Sequence, residues 1–257
     1  MADPIPRLEE EILLAHVLGV NRAALYARTD QTLTPEQEKL YQSYIDRYKK
    51  HEPIAYIVGF QPFYGLDFEV NSSVLIPRPE TEKLVEVALD LQPATAADIG
   101  TGSGCITVTL AKHLPGTKVF GVDSSEAALK VAERNAAKHQ VQDHCQFLLG
   151  NLLEPLKEKV DLIISNPPYI PTADIKTLEP NVKDWEPRQA LDGGPDGLDY
   201  IRQIIQESPK HLKPGGCLVL EFGFGQDAEI KKIAGQKFQD IKIIKDNSDI
   251  ERILLAR

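Results

Sequence analysis

The feature that most constrains the fold is a regular alternation of short apolar strands with amphipathic helices, beginning at residue 79. Helices are predicted at 80–91, 105–113, 125–139, 197–211 and 226–235. Strands are predicted at 95–99, 118–122, 146–149, 160–165, 217–222, 241–245 and 252–256. Such alternation predicts an α/β fold with a doubly wound, mainly parallel sheet of seven strands. The last two strands are too close for a helical crossover, so we expect them to pair antiparallel.

The first 50 residues differ in pattern and are predicted to form three short helices. These are 7–18, a helix from the cap Asn21 to Arg28, and a helix from the capping box at Thr34 to about Lys50. A bundle this small buries little core alone, so we expect it to contact a partner or cover a site. The predicted inner faces are Leu8, Ile12, Ala15 and Leu18 on the first helix, and Leu40, Tyr44, Ile45 and Tyr48 on the third.

Residues 51–78 predict a β-hairpin that links the two parts. Residues 63–70 alternate as a strand does, 71–73 predict a turn, and 74–76 predict the return strand. We therefore divide the chain into a helical bundle for substrate recognition (1–50), a hairpin linker (51–78) and an α/β domain (79–257).

Charge and composition exclude several function classes. The net charge is −9; residues 1–75 carry 7 basic and 11 acidic side chains and the remainder 22 and 27, which disfavours a nucleic-acid backbone binder. No apolar run reaches the ~20 residues of a membrane span, and the acidic N-terminus does not resemble a signal peptide. Three separated cysteines indicate a reducing compartment, and the histidines lack metal-ligand spacing. We expect a cytoplasmic protein with no metal and no membrane partner.

A glycine-rich turn directly follows the first strand of the α/β domain. Its spacing is G-x-G-x-G rather than the G-x-G-x-x-G of dinucleotide sites. Glycines let a backbone approach a ligand closely, and the preceding acid Asp98 repels a pyrophosphate but suits a cationic ligand without phosphate. A tight turn without a ligand is the alternative. The candidate cofactor residues here are Asp98, Gly100, Thr101, Gly102, Ser103 and Gly104.

Two further strand ends lie at the same predicted edge of the sheet. Asp123 ends the next strand, where a carboxylate can accept both hydroxyls of a ribose; a charge at a helix N-terminus is the alternative. Asn151 and Leu152 follow the third strand, where a simple turn is the alternative. Asp98, the glycines and Asp123 together resemble the S-adenosylmethionine site of class I methyltransferases, in which residues after the third strand contact the adenine. The resemblance implies S-adenosyl-L-methionine as the cofactor.

The tetrapeptide Asn166-Pro167-Pro168-Tyr169 directly follows strand 160–165. An amide nitrogen becomes a better nucleophile when both of its hydrogens point at acceptors. The Asn166 side-chain oxygen and the Pro167 carbonyl can be those acceptors, because a carbonyl before proline has a fixed direction. Pro168 stiffens the loop, and Tyr169 can pack on a flat amide or base. These groups suit methyl transfer to planar nitrogen without a strong general base, with Asn166 also facing the cofactor; a turn that only ends the strand is the alternative.

These four residues resemble the motif of methyltransferases that act on planar nitrogen, which include DNA adenine-N6 and protein glutamine-N5 enzymes. Segments 53–57, 63–65, 75–82, 186–194 and 250–257 resemble the peptide chain release factor N5-glutamine methyltransferase family. The resemblance implies a class I methyltransferase fold. It also implies methyl transfer to N5 of the glutamine in the Gly-Gly-Gln motif of a release factor. Many relatives carry an acid and an aromatic residue where this chain has Asn151 and Leu152.

Other residues and functions stay open at this point. Arg78 and Glu80 are candidate substrate contacts, with an interdomain ion pair as the alternative, and segment 174–195 is expected to flank the substrate entrance. A DNA or RNA adenine-N6 methyltransferase is a rival that the negative charge disfavours. A ribosomal-protein glutamine methyltransferase has the same chemistry and differs at residues such as 79–81. A noncatalytic module and a nicotinamide-dependent reductase fit the fold but explain the motifs less well.

Overall fold

The computed structural model describes residues 5–25 and 32–257. The predicted end of the second helix at Arg28 lies outside these residues. The helices are α1 (Arg7–Leu18), α2 (Arg22–Leu25), α3 (Pro35–Tyr48), α4 (Ile54–Val58), α5 (Thr81–Leu91), α6 (Cys105–His113), α7 (Glu126–Lys138), α8 (Pro180–Lys183), α9 (Asp199–His211) and α10 (Asp227–Ala234). The strands are β1 (Phe60–Phe63), β2 (Leu66–Glu69), β3 (Thr95–Ile99), β4 (Lys118–Asp123), β5 (Cys145–Leu149), β6 (Val160–Ser165), β7 (Leu212–Glu221), β8 (Ile241–Lys245) and β9 (Glu251–Ala256).

In the described part of the chain, seven strands form one sheet in the order β5-β4-β3-β6-β7-β9-β8. Strands β3 to β7 pair in parallel, whereas β9 pairs antiparallel with both β7 and β8. The predicted doubly wound sheet and its antiparallel end are therefore confirmed. The strand order reverses between β3 and β6, and ligands of open α/β sheets bind outside the carboxyl ends of the strands at such a point.

Alternate residues of the central strands face two separate cores. Ile163 packs with the buried faces of α9 and α10, while its neighbours Leu162 and Ile164 pack with α5 and α6 on the opposite side. A strand covered by helices on both faces has a continuous apolar run, which is why residues 162–164 in the middle of β6 are all apolar. The sheet therefore lies between two helical layers, which cover its faces but not the ends of its strands.

The N-terminal helices pack on one another and on α4. Leu13 of α1 is fully buried with Ile57 and Val58 of α4, and the tyrosines of α3 surround them. The capping box at Thr34 forms as predicted. The predicted inner faces are partly wrong, because Leu8 and Leu40 are 51% and 42% exposed. Both helices carry apolar residues on more than one side, and contact with α4 selects the side that is buried.

The hairpin forms, but not between the predicted strands. Its strands are β1 and β2, and its two-residue turn is Tyr64-Gly65, with φ of 49° and 74°. Positive φ at both positions gives the turn that matches the strand twist. The predicted turn at 71–73 exists, as Ser73 N donates to Asn71 Oδ1 (2.9 Å), but no return strand follows it.

Residues 74–76 are held by side chains instead of a strand partner. The Tyr56 hydroxyl donates to the carbonyl of Val74 (2.5 Å), and the amide of Ile76 donates to the buried carboxylate of Glu186 (3.1 Å). These bonds satisfy the backbone groups that a neighbouring strand would otherwise satisfy. The irregular segment 174–195 therefore fixes the position of residues that precede it by about a hundred positions.

None of the helices in residues 5–25 and 32–257 has the length and apolar character that crossing a membrane requires. In the same residues, no cluster of three or more acidic, histidine or cysteine side chains is arranged to hold a metal ion.

The hairpin contributes to the core of the α/β domain, because Phe63 and Phe68 are buried with residues of α5 and α6. Substituting Phe68→Ala removes a fully buried ring and leaves a cavity. We expect the free energy of unfolding to fall by about 3–5 kcal/mol, measured by urea titration. The control Leu149→Ala, at a residue 56% exposed, is expected to change stability by less than about 0.5 kcal/mol. Equal effects of the two substitutions would show that the hairpin does not pack on this core.

Candidate active site

A cavity of about 170 Å³ lies at the carboxyl ends of β3, β4, β5 and β6, where the strand order reverses. Eight of the residues predicted for the site line this cavity. They are Gly100, Gly102, Asp123, Asn151, Leu152, Asn166, Pro167 and Pro168. The cavity therefore brings together four strand ends that are far apart in the sequence.

Seven other predicted residues do not line the cavity. Asp98, Thr101, Ser103 and Gly104 lie in or below the glycine-rich turn, Tyr169 lies behind the proline pair, and Arg78 and Glu80 lie at the junction before α5. Sequence reasoning also missed several residues that do line it. These include Ser73, Val74, Leu75, Ser124, Pro187, Gln189, Ala190 and Tyr200.

The glycine-rich turn is fixed by backbone bonds to the neighbouring strand. The amides of Gly100 and Thr101 both donate to the carbonyl of Val122 (2.8 and 2.9 Å). Gly100 and Gly102 have φ of 77° and 54°, which L side chains rarely adopt, and a Cβ at either would meet nothing within 4 Å. Gly104 is different, because a Cβ there would lie 2.9 Å from the Cβ of Ala132 on α7. The first two glycines keep the cavity floor open and the third allows close helix packing.

Asp98 braces this turn from below. It is completely buried, and its Oδ2 accepts hydrogen bonds from the hydroxyls of Thr101 (2.7 Å) and Thr107 (2.9 Å). Its Oδ1 has no hydrogen-bond partner in the described part of the protein. Burial raises the pKa of Asp98 to about 6, although the two threonines oppose this rise. Asp98 thus acts on the cavity through the shape of the turn and through its charge.

Asp123 forms part of the cavity wall itself. Its Oδ2 accepts from the amide of Gly102 (2.9 Å) and its Oδ1 from the amide of Ser125 (2.9 Å). Burial raises the pKa of Asp123, and the backbone amides that donate to it counteract this effect. The carboxylate is therefore held in one orientation beside the glycine-rich turn, and each oxygen can still accept a further hydrogen bond.

The proline-containing loop after β6 is anchored on both sides. Ser165, the last residue of β6, donates its hydroxyl to the carbonyl of Ile99 (2.6 Å) at the end of β3. The Asn166 side chain donates through Nδ2 to the hydroxyl of Thr81 (2.9 Å) on α5. Asn166, Pro167 and Pro168 then line the cavity. The glycine-rich turn after β3 and the proline-containing loop after β6 are thereby tied to each other at their starting points.

Tyr169 supports this loop from behind. Its ring packs against the core under α9 and α10, and burial raises its pKa. Its carbonyl accepts from the side chain of Gln226 (3.0 Å), whose Oε1 in turn accepts from the amide of Gly223 (2.8 Å). The ring therefore does not line the cavity, and the stacking role predicted for it would need the ring to move.

Segment 174–195 forms the opposite wall of the cavity. Gln189 donates to the hydroxyl of Ser124 (2.6 Å), so the segment contacts the loop after β4 directly. Arg78 forms an ion pair with buried Glu186, which places Arg78 in a structural contact of this wall. Trp185 donates to the carbonyl of Lys50 (3.2 Å) and packs on a small core, so it anchors the segment.

The residues present fit S-adenosylmethionine. The described cavity lining contains no lysine or arginine to balance a phosphate, whereas it contains Asp123 and lies above the buried acid Asp98. The open positions above Gly100 and Gly102 give a ligand access to the backbone. A cationic ligand with an apolar base and a ribose matches this combination of carboxylates, glycines and apolar walls.

Sequence comparison adds family information to this geometry. Family models match the chain as PrmC N-terminal domain over residues 2–59 and as Methyltransferase small domain over residues 80–179. A relative from Geobacter sulfurreducens named release factor glutamine methyltransferase is 47% identical over 98% of this chain and 89% of its own length. A relative from Moorella thermoacetica with the same name is 42% identical over 98% of this chain and 91% of its own length.

Solved structures show likeness of fold alone. A methyltransferase from Pyrococcus furiosus has a TM-score of 0.58 at 20% identity, covering 84% of this chain and 96% of its own. The hMettl16 catalytic domain, solved in complex with MAT2A 3'UTR hairpin 1, has a TM-score of 0.63 at 14% identity. The match covers 85% of this chain and 90% of that domain's chain.

Asp98 is expected to give the protein a specific pH dependence of stability. The folded pKa of about 6 lies above the ordinary value of 3.8. Between these values the folded protein keeps a proton that the unfolded chain releases, so this contribution to stability is lost as the pH rises from about 4 to about 6. Asp98→Asn removes the contribution. The free energy of unfolding of D98N relative to wild type should rise over this window by on the order of 1–3 kcal/mol and then stay constant.

Denaturant titrations at several pH values measure this difference. The exposed Asp143→Asn variant is the matched control, and it should follow the wild type across the window. Parallel curves for D98N and wild type would contradict a raised pKa at Asp98.

Proposed function

This chain belongs to the release factor glutamine methyltransferase family, and from that premise we propose which of its residues bind the cofactor and which position the substrate amide. Its reaction is the transfer of a methyl group from S-adenosyl-L-methionine to the side-chain amide of a glutamine in a release factor. The observation that supports the residue assignment best is the meeting of the glycine-rich turn, Asp123 and Asn166 in one cavity.

The cofactor side of the cavity is assigned to residues from β3, β4 and β5. When bound, S-adenosylmethionine supplies a methyl group that is activated by the positive sulfur. Gly100 and Gly102 offer backbone at the floor, and Asp123 offers two carboxylate oxygens to ribose hydroxyls. Asn151 and Leu152 line the wall beyond β5, where adenine contacts are expected. Asp98 contributes negative charge beneath the turn and holds Thr101 in place.

The substrate side is assigned to the loop after β6. The Asn166 Oδ1 atom and the carbonyl of Pro167 are the acceptors for the two amide hydrogens of the glutamine. As the nitrogen bonds to the methyl group it becomes positive, so both acceptors bind the transition state more strongly than the ground state. Pro168 keeps the loop rigid. The nitrogen would take the methyl group as the bond from methyl to sulfur breaks, with S-adenosylhomocysteine as the leaving group, and the nitrogen would then release one proton to solvent. Positioning supplies most of the acceleration in such an in-line displacement.

The finer substrate assignment extends this proposal. We assign the glutamine to the Gly-Gly-Gln motif and the methylated atom to N5, as the resemblance of segments 75–82 and 186–194 implies. Because that tripeptide is too short to confer specificity, residues 1–50 are assigned a second contact with the release factor. Arg78 acts on the substrate indirectly, since it holds Glu186 in the wall. Because a release factor acts in translation, we propose that the enzyme is cytoplasmic.

The first test compares acceptors for the methyl group of labelled S-adenosylmethionine. Wild-type enzyme should label a release factor, but neither its Gln→Ala variant at the Gly-Gly-Gln motif nor duplex DNA. Asn166→Ala should lower kcat by about a hundredfold or more, because an aligned acceptor is lost. Its affinity for S-adenosylmethionine, measured by calorimetry, should change far less. Label on DNA without label on release factor would overturn the substrate, and a fully active N166A would overturn the role of Asn166.

A second test addresses the cofactor assignment. Asp123→Ala removes the oxygens assigned to the ribose and also releases the Gly102 amide. We expect the Kd for S-adenosylmethionine, measured by calorimetry, to rise about tenfold or more. The exposed Asp143→Ala variant should bind with wild-type affinity. Unchanged affinity in D123A would remove Asp123 from the cofactor site.

A further inference from the structure

A buried hydroxyl lies directly beside the amide that the mechanism uses. Thr81 is the first residue of α5 and is only 2% exposed. Its Oγ1 accepts a hydrogen bond from Nδ2 of Asn166 at 2.9 Å. Within residues 5–25 and 32–257, no protein donor is bonded to Oδ1 of Asn166. The protein therefore holds one end of this amide and leaves the other end for a ligand.

Behind Thr81 lies a buried carboxyl group that the mechanism does not use. Glu221 ends β7 and is 1% exposed. Its carboxyl group acts on the Thr81 side chain electrostatically, and its Oε2 has no hydrogen-bond partner in the described part of the chain. A buried carboxyl oxygen without a partner is costly to keep, and the Thr81 hydroxyl is a group close to Glu221 that could donate to it.

The chemistry of the groups determines which of Asn166, Thr81 and Glu221 donates each hydrogen bond and which accepts it. An ionised carboxylate only accepts, and a hydroxyl has a single hydrogen to donate. When Glu221 takes the hydrogen of Thr81, the Thr81 oxygen can only accept from Asn166. The Asn166 amide must then turn its NH₂ toward Thr81 and its oxygen toward the cavity. In the reverse orientation, the NH₂ group of Asn166 would face the NH₂ group of the substrate glutamine, and neither group can accept a hydrogen bond from the other.

We propose that Thr81, oriented by Glu221, is a positioning residue that fixes the side-chain amide of Asn166 with Oδ1 facing the substrate. This inference rests on the proposed role of Asn166 as an acceptor for the glutamine amide. It assigns a function to two buried polar residues that do not line the cavity. Thr81 and Glu221 act only through the direction in which Asn166 points.

The arrangement depends on the charge of Glu221. Burial raises the pKa of Glu221 to about 7, and Thr81 and Arg252 counteract the rise. Other ionisable groups that act on Glu221 or are acted on by it are Glu80, Asp246, Tyr169 and Cys105. Below this pKa, protonated Glu221 can donate to Thr81, whose hydrogen is then free to bond Oδ1 of Asn166. The correct orientation is thus enforced above pH 7 and weakened as the pH falls through about 7.

Kinetics of three variants with release factor as acceptor test the inference. Thr81→Val keeps the shape and removes the hydroxyl, and should lower kcat about tenfold at pH 8. Thr81→Ser should restore most of this loss. Glu221→Gln should lower kcat and flatten the fall in kcat between pH 8 and pH 6 that the wild type shows. All three variants should bind S-adenosylmethionine with wild-type affinity in calorimetry. This binding also shows that the variants are folded.

Thr109→Val is the matched control, since Thr109 is a buried threonine on α6 whose hydroxyl has no partner in the described residues. It should match the wild type in kcat and in pH profile. Wild-type kcat in T81V, or an unchanged pH profile in E221Q, would overturn the inference if N166A still shows its large loss of kcat. If N166A itself were fully active, the proposed role of Asn166 would fail instead. Should T81V not fold, the pH profile of E221Q alone decides.

Discussion

The parallel pairing of β3 with β4 on one side and with β6 on the other determines where every loop of the site emerges. Parallel strands end at the same edge, so the glycine-rich turn, Asp123 and Asn166 meet although they are far apart in the chain. The side chain of Ser165 bonded to the carbonyl of Ile99 reinforces this alignment where β3 and β6 end. A cofactor loop and a substrate loop that start from neighbouring strands need no further device to place a methyl group near an amide nitrogen.

Buried polar side chains do much of the remaining organisation. Asn135 of α7 accepts from the amide of Glu69 (2.7 Å) and donates to the carbonyls of Glu69 (3.0 Å) and Ser103 (2.8 Å). One side chain thus fastens the hairpin to the helix that supports the glycine-rich turn. Asp98 fastens the glycine-rich turn in a similar way, because its carboxylate accepts hydrogen bonds from Thr101 and Thr107. Because a buried polar group is costly unless it is bonded, such contacts specify one arrangement of loops rather than adding much net stability.

The sequence predicted the fold well where the signal is local. The bounds of β3, α6 and β6 agree with the structure, because their apolar periodicity is strong and uninterrupted. The hairpin was misassigned, because the alternation of residues 63–70 runs through the turn at Tyr64-Gly65. At the site, residues on strand ends could be placed from topology. Residues such as Gln189 and Ser73 could not, because contacts between distant segments bring them to the cavity. Thr81 lies in the family-like segment 75–82, but nothing in its type or spacing indicates its contact with Asn166.

Glu186 joins two walls of the cavity that are separate in the sequence. It holds residues 76 and 78 on one side and is itself part of the segment that supplies Pro187, Gln189 and Ala190 on the other. A motion that parts these walls must break two hydrogen bonds to one buried carboxylate, which leaves a charge unpaired. A motion in which both walls swing outward together breaks neither. Exchange of a ligand is therefore easier by rotation of the joined walls as one body than by opening a gap between them.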